Sequence, residues 1–430
     1  MKALSSKYIY LIYIDKCHVL TQLKSEHLTL ATINFTLKKV VAALSLIEKY
    51  DIPTPRYTSY PTVPYWDTHI FSQEQWMQKV KKAFQTSNNQ YGISLYIHLP
   101  FCEQLCTYCG CNKRITVNHD VEDSYITALL IEWEIYKSQF QDIPVIAELH
   151  LGGGTPTFFS PANLEKLITG ILEGCITKSP EFSIEVHPNF TTKEHLQTLA
   201  KLGFTRISIG VQDFDPVVQK AINRIQTFEK TKEIADVARA LGFESVNTDI
   251  IYGLPFQTIE SIRLTVEYVK ELRPERIAFY SYAHVPWISK AQRRYSEADL
   301  PTSTQKRALY ESGRAMLEEA GYKEIGMDHF ALVRDELFTA YNQGDLHRNF
   351  MGYTTQQTKL LIGLGASSIS DTGDAFMQNE KEVEAYETII SAGILPISKG
   401  HLLSEEDLVI RQLIKDSMCK YESTIGKEHY

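Results

Sequence analysis

The sequence predicts an α/β fold built on a parallel sheet, and three observations predict it. From about residue 91, short apolar runs rich in β-branched residues alternate with stretches of helical periodicity. The helical stretches carry start and stop residues at fitting places. Polar residues gather at the ends of successive apolar runs, where α/β sheets keep their sites.

The elements follow in order. Residues 1–45 form an N-terminal extension, rich in aliphatic and aromatic residues, with no usable motif. Its run Tyr8–Ile14 follows Lys2 and Lys7, as the core of a secretory leader would. Asp15 and Lys16 end it early, and no small-residue cleavage site follows. Residues 46–90 read as an N-terminal arm. Within it "PTPRYTSYPTVPYW", Pro53 to Trp66, carries four prolines and predicts extended chain rather than helix.

Candidate strands are Ser94–Leu99, Glu148–Leu151, Ser183–Val186, Arg206–Ile209, Ser245–Ile251 and Arg276–Tyr282. Candidate helices between them are Asp123–Phe140, Pro161–Glu173, Thr192–Leu202, Phe228–Leu241 and Ile259–Leu272. Pro161 follows Ser160, as a proline at a first helical position does. Thr191 with Glu194 predicts a capping box. Gly203 and Gly242 sit where left-handed C-caps are wanted. Six β-then-α units imply right-handed crossovers and a parallel sheet. An open barrel and a doubly wound sheet both satisfy this pattern.

The bulk numbers narrow the function classes. The chain has 430 residues, 43% hydrophobic and 22% charged, which are ordinary globular values. A net charge of −8 argues against a nucleic-acid binder. No run reaches transmembrane length, so no stable membrane insertion is expected and the chain reads as cytoplasmic. Four of the seven cysteines fall between Cys102 and Cys111, whereas a disulfide framework spreads its cysteines along the chain.

Cys102, Cys106 and Cys109 form C-x3-C-x2-C, in the loop after the first strand and so at the active end of the sheet. Three thiolates there suit three irons of a four-iron, four-sulfur cluster, with the fourth iron left open. A structural zinc site using all four cysteines is the alternative, although its hooks are normally split across a longer loop. An open iron can chelate the amino and carboxylate groups of S-adenosylmethionine. The glycines of "GGGTPT", Gly152 to Thr157, let backbone approach such a ligand and could offer amides to its carboxylate. Glu185, Gln212 and Asp249 lie at or near the ends of later strands and converge on the same mouth.

The C-x3-C-x2-C loop, with Tyr108 before its last cysteine, resembles the radical S-adenosylmethionine superfamily. The segments "PRYTSYPT", "GVQDF", "NTDIIYGLP", "YAHVP", "IGMDHFA" and "LHRNFMGYTTQ" narrow the likeness. Together they resemble the oxygen-independent coproporphyrinogen III oxidases of heme synthesis, from about Ile47 to about Cys419. The resemblance implies a partial (open) parallel β/α barrel over residues 91–370. It also implies that 371–430 begin a helical C-terminal domain, which continues for several tens of residues in the family.

Further implications are residue by residue. Cys102, Cys106 and Cys109 would ligate one 4Fe–4S cluster, and Cys111 would not. Two S-adenosylmethionine molecules are implied. Tyr96, Tyr108, Gly153, Glu185 and Ile369 would serve the first. Gly154, Thr155, Gln212, Arg224, Asp249 and Ala283 would serve the second. His98 is a candidate for electron or proton traffic, or else a hydrogen-bonded core histidine. Arg56, His329 and Arg348 are candidates for the substrate carboxylates. Tyr108 stands where some members carry phenylalanine, and His187 where aspartate is commoner. The implied partners are coproporphyrinogen III and an unidentified reductase, acting on a monomer. Two alternatives stand beside this reading: a related heme chaperone, against which Cys111 argues, and an inactive truncated remnant.

Overall fold

The computed structural model describes residues 59–67 and 72–423. Arg56 and the extension 1–45 lie outside the described residues. Helix α1 (Gln73–Tyr91) falls within the segment read as an arm, where no helix is expected from sequence. Ser72 and Gln75 close a capping box at its start.

The repeating units follow. Strand β1 (Ile93–Leu99) leads into the cysteine loop, which carries the short paired strands β2 (Phe101–Cys102) and β3 (Arg114–Ile115). Next come α2 (Val121–Lys137), β4 (Val145–Gly153), α3 (Pro161–Leu172), β5 (Ile176–Val186) and α4 (Lys193–Lys201). Strand β6 (Arg206–Gln212), helices α5 (Pro216–Ala221) and α6 (Phe228–Ala240), β7 (Ser245–Tyr252), α7 (Ile259–Leu272) and β8 (Arg276–Ser281) complete the series. All six expected strands and all five expected helices are present.

The local reasons hold with one correction. Ser160 caps α3 with Pro161 at its first position. Leu164, Leu167, Ile168 and Ile171 follow at helical spacing and are fully buried. Each such side chain contributes about 1.5–3 kcal/mol relative to exposure. Gly203 and Gly242 adopt φ of 89° and 93°, as left-handed C-caps require. The capping box expected of Thr191 and Glu194 is instead made by Thr192 and His195. Thr191 is buried and its hydroxyl donates to the His187 carbonyl at 2.8 Å, so it is not free to cap.

The remaining elements are α8 (Ser303–Glu319), β9 (Tyr322–Gly326), β10 (His329–Leu332), α9 (Glu336–Gln343) and the hairpin β11 (His347–Asn349) with β12 (Gly352–Thr354). Then come β13 (Leu361–Leu364), β14 (Ile369–Asp371), β15 (Ala375–Asn379), α10 (Val383–Ser391), β16 (Ile397–Leu402) and α11 (Glu405–Lys420). One twelve-stranded sheet runs β16-β15-β14-β13-β1-β4-β5-β6-β7-β8-β10-β9. From β1 to β8 its order follows the sequence without reversal. A doubly wound sheet needs a reversal, so the barrel reading is correct, and it is open because β16 and β9 end it unpaired with each other.

A fully covered parallel sheet is apolar on both faces. Here only one face is. Leu95, Ile97, Leu149, Leu151, Ile184, Ile207, Ile209, Ile277 and Phe279 point into the core shared with the helices. The alternate residues are polar: Tyr96, His98, Glu148, His150, Ser183, Glu185, Arg206, Ser208, Asn247, Asp249 and Arg276. The other face is therefore the lining of an interior, and it carries the site.

Candidate active site

Parallel strands all end at one edge, so the loops leaving β1, β4, β6 and β8 meet there. The cysteine loop is anchored from across the mouth. Thr107 donates through its amide to the Ile222 carbonyl at 2.9 Å and through its hydroxyl to the Ala221 carbonyl at 3.1 Å. Asn223 Nδ2 donates to the Leu105 carbonyl at 2.8 Å. The loop thus closes over a cavity of about 420 Å³.

Cys102 is buried, Cys106 and Cys109 are half-buried, and Cys111 is exposed. Burial pushes the Cys102 thiol up to about 11, against a 3.4 Å hydrogen bond from the Thr155 hydroxyl. Cys109 is pulled down to about 6, chiefly by the Cys111 thiol beside it and then by the Lys113 charge. Arg224 extends Nη1 to within 3.7 Å of the Cys106 sulfur. Three thiols with two cations nearby, Lys113 and Arg224, fit the donor chemistry of an iron–sulfur cluster, which takes them as thiolates. Among the described residues no three His, Cys, Asp or Glu side chains converge on one point as a single metal ion requires.

The glycine loop departs from expectation. The amides of Gly154 and Thr155 are not offered to a ligand. They donate to the carbonyls of Leu99 at 2.8 Å and Phe101 at 2.9 Å. Glycine is needed there for close packing, since a Cβ on Gly154 would sit 2.6 Å from the Pro100 oxygen. Only the Gly153 amide points elsewhere, to Glu185 Oε2 at 3.4 Å.

Two carboxylates on the cavity wall are set apart by their surroundings. Burial would raise Glu185, but the His150 imidazole, with Nε2 3.3 Å from Oε1, and the Gly153 amide hold it below the ordinary range. Burial and then the Glu185 charge push Asp249 up to about 7. The Ser208 hydroxyl donates to Asp249 at 3.3 Å. Gln212 ends β6 with φ of 66°, just after a register shift, a conformation costly for a residue with a side chain. Its side chain lines the cavity.

Cys102, Cys106, Cys109, Tyr108, Gly153, Gly154, Thr155, Glu185, Gln212, Arg224, Asp249 and Ala283 all line this one cavity. Tyr96 on β1 and Ile369 on β14 are not in its lining; they flank Gly363 of β13, the strand between theirs. His98 is buried, with Nε2 3.0 Å from the Asn112 carbonyl and Nδ1 3.0 Å from the Tyr96 hydroxyl. The carbonyl can only accept, so Nε2 carries the proton and Nδ1 accepts. His329 meets Tyr280, which is part of the wall, edge to face, and both His329 and Arg348 flank the Tyr353 ring. Arg348 itself faces a different hollow.

Two residues that support the wall are not signalled as site residues in the sequence, Gln292 in the wall and His150 behind Glu185. Gln292 donates to the Tyr108 carbonyl at 3.0 Å and the Ala283 carbonyl at 3.3 Å, tying the cysteine loop to the β8 loop. His150 holds Glu185 and stacks on Tyr96. The alternation of Glu148 and His150 with apolar neighbours in β4 is the signal that would have found it. Nothing local marks Gln292.

The comparisons with known proteins agree with this geometry. The profile of the Radical SAM superfamily matches residues 96–269. Oxygen-independent coproporphyrinogen III oxidase of Helicobacter pylori is 43% identical over 88% of this chain and 83% of its own length. The enzyme of that name from Pseudomonas aeruginosa is 42% identical, over 88% and 82%. The solved structure of coproporphyrinogen III oxidase from Escherichia coli, described as a radical SAM enzyme, superposes with a TM-score of 0.81. It is 40% identical and is matched over 84% of its length, against 88% of this chain.

Proposed function

The chain belongs to the oxygen-independent coproporphyrinogen III oxidases, and from that premise we propose that it decarboxylates two propionates of coproporphyrinogen III to vinyls, giving protoporphyrinogen IX. One observation supports the reading: a single cavity gathers the three thiols of the C-x3-C-x2-C loop with Tyr108, Gly153, Gly154, Thr155, Glu185, Gln212, Arg224, Asp249 and Ala283.

Cys102, Cys106 and Cys109 would hold a 4Fe–4S cluster through their thiolates. With S-adenosylmethionine bound, such a cluster would supply the radical chemistry that removes a hydrogen atom from the propionate β-carbon, the vinyl group forming as carbon dioxide is lost and one electron passes to an external acceptor. Glu185, kept ionised, receives the amino group of the first nucleotide, with Tyr96, Tyr108, Gly153 and Ile369 completing its seat. Gly154, Thr155, Gln212, Arg224, Asp249 and Ala283 seat a second nucleotide. His98, its two ring nitrogens engaged, fixes the Asn112 end of the cysteine loop against β1. The walls exclude water from the reacting carbon. Arg348, Arg56 and His329 serve the substrate carboxylates. A reductase supplies the electron, and the chain acts as a cytoplasmic monomer. No described helix is long and apolar enough to cross a membrane.

The test is anaerobic incubation of the reconstituted chain with S-adenosylmethionine, a reductant and coproporphyrinogen III. Protoporphyrinogen IX is the expected product. Stoichiometric heme binding without turnover would favour the chaperone reading instead.

A further inference from the structure

A second hollow, of about 320 Å³, lies between α1, the β11–β12 hairpin, the β14–β15 turn and α11. It sits at the starting edge of the sheet, opposite the cysteines. Leu361, in its wall, pairs with Ser94 at the beginning of β1.

Its charges do not balance. Arg348, Lys359, Arg411 and Lys415 face it, against one carboxylate, Asp371. Asp371 is already committed to Arg411, at 3.1 Å from Nη1. Among the described residues no carboxylate lies within ion-pair distance of Arg348, Lys359 or Lys415. The Nε of Arg348 is buried without a hydrogen-bond partner. Burial pushes His347 down to about 3, with Lys415 and Arg411 adding to it, and burial also lowers Lys415. Asp371 offsets Arg411, and the Tyr353 and Tyr91 rings face Arg348 and Lys359, but gathering these like charges in a partly enclosed space is costly without a second carboxylate. An anion offsets the cost.

The hollow is linked to the cofactor cavity along the polar face of the sheet. Asn349 lines both it and a small cavity of about 80 Å³, and Ser208 lines both that cavity and the cofactor cavity. Resting on the reading given above, the geometry points to this basic chamber as the seat of those substrate carboxylates that are not reacting. A macrocycle with acidic side chains around its rim can present one propionate to the cofactor edge and others towards Arg348 and Lys415. A free dicarboxylate has the same chemistry, and the test separates the two sources.

Coproporphyrin III, the stable oxidised form of the substrate, is titrated by fluorescence into the reconstituted chain, in parallel with glutarate. Lys415→Gln is expected to weaken coproporphyrin binding about tenfold, and Lys415→Glu more. Lys415→Arg should preserve binding, and the differences should shrink at high salt. Unchanged coproporphyrin affinity in Lys415→Glu, with the variant folded by circular dichroism, would overturn the inference. So would a Lys415 dependence seen with glutarate alone. If turnover fails in the wild type while coproporphyrin binding still depends on Lys415, the chamber stands and the proposed reaction falls. Normal turnover with a KM indifferent to Lys415 would sink the chamber alone.

Discussion

Arg224 reaches Cys106. Its Nη1 lies 3.7 Å from the sulfur, while its Nη2 is fixed on the Gly210 carbonyl at 2.5 Å. A side chain at Gly210 would push Arg224 and Gln212 aside, since a Cβ there would sit 2.7 Å from a side-chain nitrogen of each. A glycine near the strand end thus leaves a buried cation free to reach the Cys106 thiol.

This predicts a redox effect. A reduced cluster carries one more negative charge, which a neighbouring guanidinium stabilises. Arg224→Gln should make the reconstituted cluster harder to reduce, by roughly 30–60 mV, or on the order of 1 kcal/mol. A potentiometric titration followed by electron paramagnetic resonance reads this. An unchanged potential would show that Arg224 does not tune the cluster.

The cysteines should divide cleanly. Cys102→Ala, Cys106→Ala or Cys109→Ala should abolish the cluster after anaerobic reconstitution, leaving far fewer than about four irons per chain. Cys111→Ala should keep it, because Cys111 is exposed and acts on Cys109 rather than on an iron. Iron and sulfide analysis decides. Stoichiometric zinc in the chain as isolated, with no iron uptake, would restore the zinc alternative.

The two nucleotide seats should be separable. Gln212→Ala and Asp249→Ala each remove a polar partner from the far wall. The loss should be on the order of 1–3 kcal/mol, or roughly 5- to 150-fold in affinity for one of two bound molecules. Cleavage at the cluster should survive. Equal loss of both molecules in equilibrium dialysis would contradict the division.

Much of this was legible in the sequence. The six strands and five helices of the barrel are long, strongly patterned and capped, so local signals and tertiary packing agree. The cysteine loop and its polar companions were legible because each follows an apolar run. The strands after Leu361 were not. They are three to six residues long and pair antiparallel at the sheet edge, too short for periodicity to register. Gln292 was invisible for another reason. Its partner Tyr108 lies 184 residues away, and only the closed fold brings them together. The glycine amides were misread because sequence shows that backbone approaches something, but not what.

Stability should depend on Glu148. This carboxyl is 5% exposed, and burial followed by the Glu181 charge pushes it up to about 7. Unfolded, it ionises near its ordinary value of 4.5. Between those values the folded state holds the extra proton. This group therefore lowers stability as pH rises from about 4.5 to about 7, and the penalty is complete above that. Glu148→Gln removes it while keeping an acceptor for the Ser94 hydroxyl. The variant should gain on the wild type by up to about 3 kcal/mol between pH 5 and pH 8, as read by denaturant unfolding. A gap that does not grow with pH would mean that Glu148 is ionised in the fold.

The central claim is that this cavity directs a radical to a substrate propionate. Coproporphyrinogen III deuterated at the propionate β-carbons tests it most directly, with the 5′-deoxyadenosine recovered from an anaerobic incubation and weighed by mass spectrometry. Deuterium should pass into the deoxyadenosine as vinyl product forms. Vinyl product accompanied by unlabelled deoxyadenosine would contradict the account.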